Sequence, residues 1–315
     1  MRKRSLAMVH ELAKRDPRVV FIGSDLSPGT LPELKRQFPE RYFMEGIAEA
    51  NVIGMAAGMA LEGLVPYVNT IATFITRRCF EQVAIDLCLH DLPVRLIGNG
   101  GGYVYAPLGP THQAIEDIAI MRALPNMTVT AVCDADEMTR LMEASLDWPH
   151  PIYIRLAKGG DPIVSRAERG FAIGKAIEMI EGGSGGTEVL LIATGIATTE
   201  ALAAAERLAA EGIRCRLLHL HTIKPLDRGA ILAAAAASRL VVTVEEHSVM
   251  GGLGSAVAEA LIDEDLSPLP RVKRLGIPDR FANHYGSQAA LLAHFGLDAA
   301  GIVRAVHEAR GSGPG

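Results

Sequence analysis

One carboxylate stands out by its position. Glu49 sits where a loop turns into a helix, in the run MEGIAEANVIGMAAGMAL spanning positions 44–61. Taken alone, an acid in a first helical turn reads as a capping or dipole-pairing group. The helix after it is small along one side, where Gly54, Ala57 and Gly58 admit another backbone closely. A histidine, His112, lies in the loop-like run GPTHQ at 109–113, and a lone histidine by itself is more often structural than catalytic. Asp25 closes an apolar run in SDLSP and reads equally well as a turn residue. The four cysteines, Cys79, Cys88, Cys133 and Cys215, include no CxxC pair. They read as buried free thiols of a reducing compartment, with no metal set. The run GGLG at 251–254 resembles part of a dinucleotide loop, but no strand–GxGxxG–helix unit stands near the chain start.

The elements that must position these residues follow from the alternation of apolar runs and Ala-rich stretches of helical period. Strands are expected at Arg18–Gly23, Val65–Asn69, Pro93–Gly98, Met127–Val132 and Ile152–Leu156. Helices are expected at Glu49–Leu61, Cys79–Leu89, Gln113–Arg122 and Ala135–Leu146. Continuous apolar strands separated by helices predict a parallel sheet covered on both faces. The stretch from Lys158 to Thr187 is rich in glycine and predicts a boundary. Beyond it the pattern restarts, with strands expected at Val189–Ala193, Arg214–His219, Leu240–Glu245 and Arg271–Leu275. The expectation is an α/β protein with two domains in series, 1–165 and a smaller 180–315, and a disordered GSGPG tail.

Composition sets outer limits. Of 315 residues, 49% are hydrophobic and 21% charged, which is globular and excludes a disordered chain. Aromatics are 5%, so Ala, Val, Leu, Ile and Met must build the core. A net charge of -5 and no polybasic stripe argue against nucleic acid as a partner. The basic start MRKRSLAMVHELAKRD is too interrupted for a signal-peptide core, and no apolar run suggests a membrane span. A cytoplasmic protein is expected.

Further segments, weak singly, gain meaning in their order. They are NTIATFITRRCFEQ at 69–82, GPTHQAIEDIA at 109–119, LPNM at 124–127, HTIKPLD at 221–227 and VEEHSVMGGLG at 244–254. With the Glu49 segment they resemble, over nearly the whole chain, the pyrimidine-binding and C-terminal domains of the transketolase family. That resemblance implies a two-carbon ketol transferase using thiamine diphosphate. It assigns Glu49 the hydrogen bond that lets the cofactor's aminopyrimidine act as the base, in a dry site where such a bond is strong. It assigns the stacking ring to Phe74, with Ile71 in place of a neighbouring aromatic. Phe80 reads either as a second wall of that site or as a core residue at a helix start. Asp25 aligns with an acidic residue of the cofactor surface. His112 aligns with a histidine that faces the reacting carbonyl, and Arg2 and Arg155 with arginines that hold a substrate phosphate. For Arg155 the bland reading is a surface salt bridge. His247, the LysProLeuAsp segment and the glycine-rich turn fall in a domain that does no chemistry in the family.

Several features depart from the family pattern. An Asp that contacts a substrate hydroxyl is Leu108 here, a phosphate-contacting His falls near Gly100, and a Ser near Gly29. Losing such a contact costs a few kcal/mol if the partner hydroxyl is left buried, so a specialised ketose substrate is expected. No GDG…N motif for Mg²⁺ (or Ca²⁺) and the diphosphate is present. The resemblance therefore implies a partner subunit carrying that motif, in an assembly of two copies of each chain, with this chain inactive alone. Three alternatives remain within this family or fold. They are the β subunit of a 2-oxo-acid dehydrogenase E1 component, a fragment related to deoxyxylulose-phosphate synthase, and a catalytically silent subunit. Retention of Glu49, Phe74 and His112 argues against the last. A nicotinamide oxidoreductase fails for lack of its fingerprint.

Overall fold

A computed structural model describes residues 1–24, 31–182 and 187–311. The first half supplies β1 (Val19–Gly23), β2 (Tyr42–Met44), β3 (Val65–Ile71), β4 (Arg95–Asn99), β5 (Thr128–Ala131) and β6 (Ile152–Leu156). The second supplies β7 (Ile177–Ile180), β8 (Thr187–Ala193), β9 (Cys215–His219), β10 (Thr222–Lys224), β11 (Ser238–Ser248) and β12 (Arg271–Ile277). They form two sheets, ordered β10-β5-β6-β4-β3-β1-β2 and β12-β11-β8-β9-β7. Within the first sheet every pairing but β10 with β5 is parallel, and within the second every pairing but β7 with β9. The protein is thus two α/β domains in series.

Helices cover the first sheet on both faces. They are α1 (Arg2–Arg15), α2 (Pro32–Gln37), α3 (Glu49–Leu61), α4 (Ala72–Arg77), α5 (Phe80–Gln82), α6 (Asp117–Ala123) and α7 (Ala135–Ser145). The period-2 alternation of strand side chains decides which layer each residue serves. Ile22, Val68, Leu96 and Tyr153 pack with α3 and α6, whereas Phe21, Tyr67, Ile97 and Ile154 pack with α1 and α7. Strands buried on both faces must read as unbroken apolar runs, and the sequence shows this. The second sheet is covered by α8 (Ala197–Ala210), α9 (Arg228–Ala236), α10 (Leu253–Asp263), α11 (Gln288–His294) and α12 (Ala299–Gly311).

Several expectations need correction. The helix expected from Gln113 begins only at Asp117, because Ala114 is tied backbone to backbone with Gly102 in both directions. The stretch Cys79–Leu89 is not one α-helix: after α5 it continues as a π-helix, Val83–Leu89. Short strands β2, β7 and β10 carry too few residues to show a period. The apolar segment Gln288–Gly311 is 24 residues long and apolar enough to cross a membrane by length and composition, contrary to expectation. It is two helices rather than one, and Leu291, Leu292, Leu297, Ile302 and Val306 are buried in the core. The residues 312–315 of the expected disordered tail lie outside the described residues.

The halves are joined by hydrogen bonds and by a shared sheet. HTIKPLD does not stay within the second domain: its Thr222–Lys224 adds an antiparallel edge strand to β5. His219 on β9 bonds Glu137 on α7 at 2.8 Å, both fully buried. Ser248 N donates to Ile115 O at 2.7 Å, bracing the segment that follows His112.

Candidate active site

Parallel strands point their carboxyl ends at one edge of a sheet, and loops leaving that edge build the site. Here the edge is made by Gly23 ending β1 and Ser24 after it, Asn69 to Ile71 in β3, and Asn99 ending β4. Their buried polar groups bond one another, although Asn99 Oδ1 has no partner among the described residues. Ser24 Oγ donates to Thr70 Oγ1 at 2.9 Å, and Asn99 Nδ2 to Asn69 Oδ1 at 2.7 Å and Thr70 O at 2.8 Å. A cleft at this edge is lined by Gly23, Ser24, Asn69 and Thr70, and by Glu49, Val52, Ile53 and Ile75.

Glu49 opens α3, and its side chain is 6% exposed. The residue in the capping position is Ala48, and among the described residues no side chain caps the helix. Among the described residues the carboxylate accepts only from Arg78 Nη1, at 3.4 and 3.3 Å. The plain capping reading is thereby excluded, although the first-turn position still favours the anion through the helix dipole. Burial together with this negative charge pushes the neighbouring Cys79 thiol up to about 12, so that thiol is inert.

Phe74, on α4, faces the same place. The Arg78 guanidinium lies 3.7 Å from its ring centroid, and the His112 ring packs edge-on at 5.2 Å between centroids, 67° between planes. Glu49, Phe74 and His112, separated by up to 63 positions in sequence, are therefore brought together, with Arg78 between the first two. His112 is half-buried, with Thr111 Oγ1 2.9 Å from its Nδ1.

The loop carrying His112 is held by Arg77, one turn beyond Phe74 on α4. Arg77 Nη2 donates to Gln113 O at 2.8 Å and Nη1 to Pro110 O at 3.4 Å, and the guanidinium pairs with the Glu116 carboxylate. Neither Arg77 nor Arg78 had been assigned a role from sequence. Their spacing could have revealed them, since positions three and four beyond Phe74 lie beside it on a helix.

The remaining expected site residues have mixed positions. Phe80 is partly buried and packs against the core around α3 and β3, the second of its two readings. Arg2 is half-buried in the first turn of α1, close enough to Tyr105 to act on its phenol. Asp25 and Gly29 lie outside the described residues. Leu108 is 56% exposed, in the turn just before the GPTHQ loop. Gly100 has φ +80°, and a Cβ there would clash with the edge of the Tyr105 ring. The space of a side chain at 100 is filled by that ring.

Arg155 is a correction on both of its readings. Its side chain is 6% exposed, and its guanidinium is spent on Asp117 Oδ2 at 2.7 Å, Ala114 O at 3.3 Å and Glu246 O at 2.8 Å. Gly101 lies against it so closely that no Cβ fits. Turning such a group outward to a phosphate would strip the buried Asp117 carboxylate of its guanidinium and leave it the Tyr153 hydroxyl's bond at 2.7 Å. It braces the joint between the domains.

The second domain buries a few charged and titratable groups, Glu245, Glu246 and His247 among them. Glu245 accepts from Leu253 N at 2.7 Å and Gly254 N at 2.8 Å, so the glycine-rich turn's amides already have their anion. His247 is fully buried and accepts from Ala119 N at 3.2 Å. A cluster not visible in sequence joins Cys133, Glu137 and His219, whose donor atoms lie within 4.8 Å of one another. These groups are already hydrogen-bonded to protein: Glu137 accepts from Cys133 N at 2.7 Å, and His219 Nδ1 meets Thr198 Oγ1 at 2.7 Å.

Comparisons with known proteins agree with one another. Residues 1–160 match the family model of the transketolase pyrimidine binding domain, and 180–302 that of the transketolase C-terminal domain. The chain is 38% identical over 299 residues to the 6-deoxy-6-sulfo-D-fructose transketolase subunit SqwH of Clostridium sp. (strain MSTE9), covering 95% of this chain and 90% of that protein. It is 35% identical over 300 residues to a subunit of the apulose-4-phosphate transketolase of Phocaeicola vulgatus, covering 95% and 93%. It also matches 1-deoxy-D-xylulose-5-phosphate synthase 1 of Geobacter sulfurreducens at 39% identity, but spans only 46% of that protein. Among solved structures, a split-gene transketolase described as an inactive beta4 tetramer superposes with a TM-score of 0.88 at 38% identity, covering 98% of this chain and 97% of the other.

Proposed function

Since the chain belongs to the transketolase family, we propose that it is the cofactor-activating subunit of a split, thiamine-diphosphate-dependent transketolase. The observation that carries this reading is the buried Glu49 carboxylate beside the Phe74 ring and His112, at the carboxyl edge of the parallel sheet. These residues fit the group that the family implies. A nearly buried carboxylate whose described partner is an exposed arginine has an open interior acceptor, and the adjacent aromatic offers a flat face.

When bound, thiamine diphosphate supplies the carbon nucleophile that carries the two-carbon unit. Glu49 would accept a hydrogen bond from the ring nitrogen remote from the exocyclic amine, and Phe74 would stack on that ring. Val52, Ile53 and Ile75 keep water from the carboxylate, where a hydrogen bond is strong. His112 would hold or move a proton at the substrate carbonyl oxygen. Mg²⁺ and the diphosphate fall to a partner subunit carrying the GDG…N motif, in an assembly with two copies of each chain. The exposed Leu61 of α3 and the exposed Ile85 and Leu89 of the adjoining π-helix give this side of the domain an apolar surface suited to such contact.

For the substrate we propose a ketose with a terminal anion. The two subunit relatives are named for a sulfonated and a phosphorylated sugar. Lys3, Arg4 and Lys158 line a cavity of about 600 Å³ beyond the end of β6, which replaces Arg155 as the place for that anion. Leu108, exposed where the family has an acid, offers no hydrogen bond to a substrate hydroxyl and disfavours common pentose phosphates.

The test is to assemble the full chain with its GDG-containing partner, thiamine diphosphate and Mg²⁺. Two-carbon transfer is then followed by mass spectrometry from phosphorylated, sulfonated and neutral ketoses. Transfer by the wild type, lost in an assembled Glu49→Gln complex, is expected. Leu108→Asp should shift preference toward pentose phosphates. Decarboxylation of a 2-oxo acid without ketol transfer, or full activity of Glu49→Gln, would overturn the reading.

A further inference from the structure

Two groups of the site, the Phe74 ring and the Glu49 carboxylate, are met by one side chain. The Arg78 guanidinium carbon stands 3.7 Å from the Phe74 centroid, and Nη1 stands 3.3 and 3.4 Å from the two Glu49 oxygens. A guanidinium is a flat cation that stacks on aromatic faces and donates N–H bonds to carboxylates. An aminopyrimidine ring meets the same two groups in the same way, with a flat face on the aromatic and a ring N–H toward the carboxylate. Resting on the cofactor role given to Glu49 above, we propose that Arg78 is a displaceable stand-in for the cofactor's pyrimidine ring. In the chain by itself it covers the ring face and the carboxylate, and it must swing toward solvent when the cofactor enters.

The placement of Arg78 suits displacement. Its side chain is 45% exposed, against 6% for Glu49, so one partner has water to move into and the other does not. Its bonds to the carboxylate lie at the long end of the hydrogen-bond range. Arg77, one residue earlier, shows the contrast: it is fixed by two backbone carbonyls and the Glu116 carboxylate. Without Arg78, Glu49 would be a buried carboxylate with no described partner, which is costly. The stand-in therefore gives the carboxylate a partner and holds its rotamer until the ring arrives. The same contact lowers apparent cofactor affinity, because the binding-competent state is only part of the population.

The probe is thiamine, which carries the pyrimidine ring but no diphosphate, titrated into the full chain by calorimetry. Arg78→Ala should bind it on the order of fivefold more tightly than the wild type, the equivalent of losing one half-exposed ion pair. Arg78→Lys, which keeps the charge but not the plane, should gain less. Methylguanidinium should compete with thiamine for the Arg78→Ala chain, and Glu49→Gln should erase the gain in the double variant. An Arg78→Ala chain that binds thiamine no better than the wild type, or not at all, overturns the proposal. If that happens while Glu49→Gln still abolishes transfer in the assembled enzyme, only Arg78's role falls. If Glu49→Gln leaves both thiamine binding and transfer intact, the cofactor role of Glu49 falls and takes this proposal with it.

Discussion

Replacing Arg77 with alanine should loosen the His112 loop without unfolding the protein. The guanidinium gives the loop one good charge-assisted bond, to Gln113 O at 2.8 Å, and a weak one to Pro110 O at 3.4 Å. It also pairs with Glu116, the two side chains being 32% and 33% exposed. A charge-assisted hydrogen bond contributes about 1.5 kcal/mol net, and a partly screened ion pair roughly 0.5–1 kcal/mol. The sum, about 2 kcal/mol, is a factor of about 30 in the population of the docked loop. Hydrogen exchange of the full chain should show protection lost across positions 109–116, with the strands β3 and β4 unchanged. In the assembled enzyme kcat should fall on the order of tenfold, while thiamine diphosphate affinity holds, because Glu49 and Phe74 keep their places. Unchanged exchange at 109–116 would refute the clamp, and equal loss across the whole first sheet would show Arg77 to be a general stability residue.

Three further outcomes are expected. Arg155→Met should destabilise the chain by about 3–5 kcal/mol in urea unfolding, because Asp117 is left buried and uncompensated; a cost below 1 kcal/mol would return Arg155 to the substrate side. Burial holds the fully buried His221 down to about 4 from its ordinary 6.5, so the folded chain binds fewer protons than the unfolded one between those values. That contribution is full above pH 6.5 and is lost as pH falls toward 4. Burial holds Glu246 up to about 7, which works in the opposite sense between 4.5 and 7. The informative quantity is therefore the His221→Phe minus wild-type difference, which should grow in the variant's favour on the order of 3 kcal/mol from pH 6.5 to 4. A flat difference would remove His221 from the account. Gly100→His should destabilise by at least about 2 kcal/mol, from the positive φ and the Tyr105 ring, with partial recovery on adding Tyr105→Ala; a thermal midpoint equal to wild type would mean the ring moves freely.

What the sequence could settle depended on how local each cause is. Strand burial on both faces writes itself as continuous apolar runs, so the parallel sheet and the two-domain series could be read directly. The family motifs carried Glu49, Phe74 and His112, each marked by its own segment, and the fold then brought those three together, with Arg78 between the first two. Short strands such as β10 leave no period in three residues, and their pairing is decided by a sheet edge far away in sequence. Whether an arginine is buried or exposed also has no local mark. Arg155 ends its strand as expected, yet Asp117 and Glu246 from other segments close around it. Arg77 and Arg78 are adjacent and chemically identical, but the helix turns one toward two carbonyls and the other onto Phe74 and Glu49. Residue type and period are properties of the chain, so the sequence determined the fold class and the chemistry on offer. Partners are properties of space, so only the tertiary structure decided which charges are locked in place and which can yield to a ligand.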